Sequence, residues 1–342
     1  MPKTTPGHQA ADAFHPRFPL KNAHVQSILS SLRIRAIGAR AWISGSREQT
    51  LTSDAGVRLQ GFYTPLRNTA SKGLVILLHG WEGSAESTYI LTTGRYLYDN
   101  GYEIFRLNYR DHGHSHHLNA GLFFATNLGE VFESVRQAAA LSTAAPVFLA
   151  GFSLGGNFAL RIAAECAAFP IPNLRHVVAI SPVLDPSNAT DRIDRAPLYR
   201  EYFLKKWRRS LRKKQHLFPK RYHFNGALLR SESCRKMTEA LLSHQCEFKT
   251  PDEYFDGYNL TGGRLKKMAV PTTLITAADD PIIAVDDFER LQLSPETRLI
   301  IHRHGGHNGF ITGLFSGTWH ERFMTGVFGG SEFGNPSNKP IR

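Results

Sequence analysis

Cysteine is scarce, with three (Cys166, Cys234 and Cys246) among 342 residues. Their odd number and wide spacing exclude a disulfide framework and a C-x-x-C metal site. Long apolar runs are missing as well, since none approaches the ~20 residues a membrane-spanning helix needs. The opening residues, Met1-Pro2-Lys3-Thr4-Thr5-Pro6-Gly7-His8, lack the apolar core of a secretory leader. These absences point to a cytoplasmic protein. No segment repeats another. Acids are short of bases, 29 against 41, and the shortfall is local. Between Arg195 and Arg221 stand eleven Lys or Arg and one acid, Glu201, so most of the net charge of +12 belongs to this one segment.

With 42% hydrophobic and 20% charged residues, the chain can bury a sizeable core, either as one large domain or as a domain with an insertion. Its most informative stretch is Pro146–Asn157, PVFLAGFSLGGN. Val147 to Ala150 form a short apolar run suited to a buried parallel strand. Gly151-Phe152-Ser153-Leu154-Gly155 then gives G-x-S-x-G, followed by a helical pattern over Asn157–Ala168. This is the sequence form of a nucleophile elbow, in which a strand turns sharply into a helix and small residues two before and two after the serine relieve crowding.

Elsewhere, strand and helix patterns alternate. A helix is expected near Ala23–Leu32, and a hairpin over Thr50–Tyr63 turns at Asp54-Ala55-Gly56. Strands are expected at Gly73–His79, Tyr102–Tyr109, His176–Ile180, Val270–Ala277 and Arg298–His302. Helices are expected at Thr88–Asn100, Asn127–Ser142 and Trp319–Val327. The alternation implies βαβ units, hence an α/β fold with a mostly parallel, doubly wound sheet. The expected organisation is an N-terminal extension (1–45), a core in two parts (46–185 and 263–328), a helical cap insertion (186–262) and a disordered tail (329–342).

Reactive side chains gather at the carboxyl ends of strands in such folds. Ser153, His79-Gly80, Asp279/Asp280 and His307 all fall just after expected strands. A serine hydroxyl is a poor nucleophile at neutral pH, so it needs a base, and the base needs an orienting acid. The chain order Ser153, Asp280, His307 provides all three. Asp280 is preferred to Asp279 because it directly precedes Pro281 in a small-x-x-D-P-apolar-apolar loop. His307 is preferred to His302 and His304, which fit ordinary strand side chains, because it follows the Gly305-Gly306 turn. The oxyanion requires two convergent backbone N–H groups, expected from Leu154 and Trp81. His79 is expected to position its loop.

Two further clusters have more than one reading. Asp111-His112-Gly113-His114-Ser115-His116-His117 has the alternation of a metal site, but a solvated loop flanking the site is preferred, with no metal and no cofactor. Tyr199, Phe203, Trp207 and Leu211 recur every four residues, opposed by Lys205, Arg208, Arg209 and Arg212. Such a basic amphipathic helix can lie on anionic lipid or nucleic acid. The preferred reading is a cap helix with solvated charges, leaving at most weak contact with an anionic membrane through Arg195–Arg221 and no nucleic-acid partner. The sequence implies no oligomeric state.

With these residues in place, the chain resembles the YheT-like branch of α/β-hydrolases, related to eukaryotic α/β-hydrolase-domain acyl hydrolases and yeast ethanol acyltransferases. The resemblance spans Phe18 to Phe328. It is carried by Asn22-Ala23-His24-Val25-Gln26, LLHGWEGSAESTYI, NYRDHGHS, GFSLGGN, SPVLD, DEYF, AADDP and HGGHNGF. It departs at Asp111, where the family usually has glycine, and at Asn259, where a serine is common. The resemblance implies nucleophile, acid and base at Ser153, Asp280 and His307. The implied activity is that of a serine hydrolase cleaving carboxylic esters or acyl lipids through an acyl-enzyme. The alternatives are acyl transfer to an alcohol and phospholipase action at anionic membranes. The implied partner is a small-molecule or lipid ester.

Overall fold

Short apolar runs, too brief for buried helices, make the centre of an eight-stranded sheet. The computed structural model describes residues 14–330 apart from 40–41, 68–69, 143–144, 225, 246 and 314–315. The expected tail beyond Gly330, the first thirteen residues and Cys246 lie outside the described residues. The strands are β1 (Arg47–Thr52), β2 (Arg58–Thr64), β3 (Leu74–Leu78), β4 (Glu103–Asn108), β5 (Val147–Phe152), β6 (Leu174–Ile180), β7 (Thr272–Ala277) and β8 (Thr297–His302). Their order is β1-β2-β4-β3-β5-β6-β7-β8. The β1–β2 hairpin and the β2–β4 pair are antiparallel, and every later pairing is parallel.

The helices are α1 (Ala23–Ser31), α2 (Thr88–Asp99), α3 (Leu128–Ala139), α4 (Leu154–Glu165), α5 (Pro186–Arg195), α6 (Pro197–Leu217), α7 (Gly226–Leu229), α8 (Cys234–Gln245), α9 (Pro251–Asp256), α10 (Val285–Glu289) and α11 (Trp319–Phe328). Strand alternation sends Leu74, Ile76 and Leu78 into one core with α3 and α4 side chains. Val75 and Leu77 enter a second core with α2 and α11 side chains. Both faces of the sheet are therefore covered, which explains why β3 and β5 are apolar throughout. No helix of the described residues is long and apolar enough to cross a membrane.

Two expectations need correction. Helix α4 begins at Leu154, not Asn157, because β5 ends at Phe152 and Ser153 alone makes the turn between them. The His-rich loop is not solvated throughout: Asp111, His112, Ser115 and His116 are buried beneath α6, while His114 and His117 are exposed. His116 Nε2 lies 2.9 Å from Ser210 Oγ, and Ser210 in turn donates to the Asp111 carbonyl.

Candidate active site

Ser153 sits between β5 and α4 with φ +55° and ψ −117°, a backbone region that costs on the order of 1–3 kcal/mol for a non-glycine residue. Its neighbours explain the glycines of the motif. A Cβ on Gly151 would overlap the Gly155 carbonyl, and one on Gly155 would overlap the Leu78 carbonyl of β3. The serine amide is held at 2.9 Å by Ile180 O, which fixes the turn to β6. Asn157, one turn into α4, donates to Val183 O at 2.9 Å and Tyr258 O at 2.7 Å, tying the elbow helix to the insertion.

The loop after β3 lies directly against the elbow, since a Cβ on Gly80 would stand 3.2 Å from Ser153 Cβ. Two buried histidines brace this loop. His79 Nδ1 lies 2.8 Å from Gly80 O and Nε2 accepts from Tyr109 N–H, which assigns the neutral Nδ1–H tautomer. His112 repeats the arrangement, with Nδ1 2.8 Å from Arg110 O and Nε2 accepting from Glu82 N–H at 3.2 Å. Burial holds His79 well below its ordinary pKa and His112 down to about 4. The Trp81 and Leu154 N–H groups have no acceptor among the described residues.

On the far side, His307 Nδ1 lies 2.9 Å from Asp280 Oδ2. Asp280 Oδ1 accepts from the Ile282 and Ile283 N–H groups at 2.8 and 2.9 Å, and both residues are buried. The backbone of His307 is also pinned: its N–H donates to Ser27 Oγ of α1 at 2.8 Å. Next to it, Asn308 N–H donates to Ser181 Oγ at 3.2 Å. Asp279 makes a separate, more exposed pair, Oδ2 lying 3.3 Å from His304 Nδ1 while Oδ1 accepts from Gly306 N–H. His302 is buried in β8 with Nδ1 accepting from Phe14 N–H. Among the described residues, no hydrogen bond within 3.5 Å joins Ser153 Oγ to His307. Such bonds commonly tighten only when substrate is bound.

Ser153 and Leu154 also form part of the wall of a cavity of about 90 Å³. Trp81, Phe123, Phe203, Trp207, Tyr254 and Tyr258 contribute aromatic surface. Trp81 stacks on Phe203 at 5.0 Å and meets Trp207 edge-on at 5.1 Å, so α6 covers this wall. Tyr199 of the expected aromatic stripe goes elsewhere: its hydroxyl lies 2.8 Å from His24 Nδ1.

Sequence reasoning missed Ser27, Ser181, Asn157 and Lys214 because each acts through a long-range contact with no local spacing signal. Lys214, grouped by sequence with the segment's solvated charges, is buried. It donates to Asp111 Oδ1 at 2.6 Å, Asn119 O at 2.6 Å and His116 O at 3.4 Å. Burial pushes Asp111 up and Lys214 down, each opposed by the other's charge.

The buried histidines carry a prediction. Burial lowers His112, His176 and His302 to about 4 and His116 and His320 to about 3. The unfolded chain takes up these protons near 6.5, whereas the folded chain resists until the lower values. Below pH ~6.5 the unfolded state thus binds more protons, and stability falls as pH falls. Thermal melts should show Tm declining steeply from pH ~6.5 to ~4.5. A Tm unchanged across that window contradicts the assignment of these histidines as neutral.

Comparison with known proteins agrees with this architecture. A family model described as alpha/beta hydrolase fold matches residues 73–314. Phospholipase ABHD3 of Bos taurus is 22% identical over 254 residues, 72% of this chain and 61% of that protein. The chain thus spans about three-fifths of that relative's length. A Synechocystis protein provisionally named as an esterase is 26% identical over 285 residues, 77% of each chain. The solved structure of the Pyrococcus furiosus esterase Pf2001 matches with TM-score 0.51 at 17% identity, covering 83% of this chain and 89% of that one, a likeness of fold alone. Matched by the family model over more than half its length and built on the same parallel sheet with a serine elbow after its fifth strand, the chain belongs to the α/β-hydrolase family.

Proposed function

We propose that this protein is a serine ester hydrolase of the YheT-like branch, acting on acyl esters through a covalent acyl-enzyme. The observation that carries the reading is the strained Ser153 turn sharing a sheet edge with the buried His307–Asp280 pair. Ser153 Oγ attacks the acyl carbonyl as His307 Nε2 takes its proton. Asp280 holds the opposite ring nitrogen protonated and steadies the imidazolium. The Trp81 and Leu154 N–H groups receive the developing oxyanion, aided by the N-terminus of α4. His307 then returns the proton to the leaving alcohol, and a water activated by the same imidazole releases the acid.

Helices α5 to α9 serve as the cap in this reading, with Phe203 and Trp207 over the acyl site. The small, aromatic cavity favours short acyl chains. A series of p-nitrophenyl esters should therefore show kcat/KM highest for acetyl to butyryl and falling for longer chains, with Ser153→Ala inactive throughout. Highest activity on long-chain esters contradicts the cavity reading. Undiminished turnover in Ser153→Ala contradicts the mechanism.

A further inference from the structure

Helix α1 is built inside out. Its buried side chains are Gln26, Ser27 and Ser30, all polar and all engaged. Gln26 donates to Leu20 O and Ile311 O and accepts from Ile311 N–H, while Ser27 holds the His307 amide. The stripe it presents outward, His24 and Ile28, is followed by the exposed Leu32 just past its end. Ile34 and the 75%-exposed Ile37 follow, and Phe18 before the helix is 88% exposed. A helix at a water-facing surface normally shows the reverse pattern, and scattered apolar side chains do not explain five in twenty residues.

Helix α6 meets α1 where the His24 ring stacks on Tyr199, with ring centroids 5.8 Å apart. Along α6 the exposed stripe starts with Leu198 and Tyr202 and then becomes cationic, with Lys205, Arg209 and Arg212. Arg208, grouped by sequence with these charges, instead turns inward and donates to Ser231 O at 2.7 Å. Exposed Arg17, Lys21 and Arg33 flank the α1 side. Apolar side chains bordered by basic ones suit the boundary between acyl chains and anionic headgroups.

We propose that the exposed faces of α1, the following turn and α6 dock this protein on an anionic lipid bilayer. The inference stands on surface placement and is independent of the chemistry at Ser153. Docking would set the bilayer beside the loop carrying His307, which α1 contacts directly.

Co-sedimentation with vesicles of phosphatidylcholine alone or mixed with phosphatidylglycerol tests this. The protein should pellet with the mixed vesicles, less so in high salt, and not with phosphatidylcholine alone. Charge reversal at Lys205, Arg209 and Arg212 should weaken binding on the order of 100-fold. Ile28→Ser with Leu32→Ser and Ile37→Ser should abolish binding at low salt, while both variants hydrolyse a soluble short-chain ester as wild type does. Four results overturn the proposal: no pelleting with anionic vesicles, equal pelleting with neutral ones, binding unaffected by the serine substitutions, or self-association through this face in place of vesicle binding.

Discussion

Asp280→Asn is expected to lower kcat by a factor on the order of 10³ to 10⁴, the loss typical when the orienting carboxylate becomes an amide. The physical reason lies in the two oxygens of Asp280. Oδ1 is held by the Ile282 and Ile283 N–H groups, so Oδ2 alone faces His307 Nδ1. An amide in this position keeps its oxygen on the two backbone donors and turns its NH₂ toward the imidazole. His307 then has to present a bare Nδ1 and carries its proton on Nε2, the nitrogen that should accept from Ser153. KM should change little, because the side chain does not line the cavity. Asp279→Asn should have a far smaller effect, since its partners are His304 and the Gly306 amide. Steady-state kinetics of the two variants decide the matter, and the reverse ranking would move the catalytic pair to Asp279 and His304.

Lys214→Met is expected to destabilise the fold by about 3–5 kcal/mol, the usual consequence of leaving one member of a buried ion pair uncompensated. Asp111 would remain buried with its carboxylate accepting only the Phe123 N–H at 3.0 Å, and the Asn119 carbonyl would lose its donor. Asp111 also has φ +58°, a conformation natural to glycine. The double variant Asp111→Gly with Lys214→Met removes both charges and relieves the backbone. It should therefore recover most of the lost stability. Urea unfolding of the two single variants and the double closes the cycle. Additive losses in the double variant would show that the pair is not coupled. Because Lys214 reaches the segment that includes His112, and His112 holds the Glu82 amide beside Trp81, catalysis in Lys214→Met should fall along with stability.

The sheet was legible because its strands are short, apolar and separated by helices with a clear period, so β3 to β8 lie within a few residues of expectation. The elbow was legible for a different reason: steric crowding around Ser153 permits only small residues at 151 and 155. Within 186–262 the pattern does not separate the individual helices, because these bury themselves against one another through scattered contacts. The His-rich loop was misread for a related cause. Its burial depends on α6, about a hundred residues later, and the ion pair that anchors it joins two residues that look like surface charges. Composition alone makes Lys214 one of eleven bases, and only the fold separates it from Lys205 and Arg209. The same holds for α1, whose helical pattern is visible in sequence while its inverted polarity is not.

Labelling with a fluorophosphonate, followed by peptide mass spectrometry, tests the assignment of the nucleophile most directly. One phosphonyl adduct is expected, on Ser153 in the peptide containing GFSLGGN, with loss of esterase activity in proportion to labelling. Ser153→Ala should remain unlabelled while keeping the wild-type melting profile. An adduct on another residue, or labelling that survives Ser153→Ala, would contradict a covalent serine mechanism at this elbow.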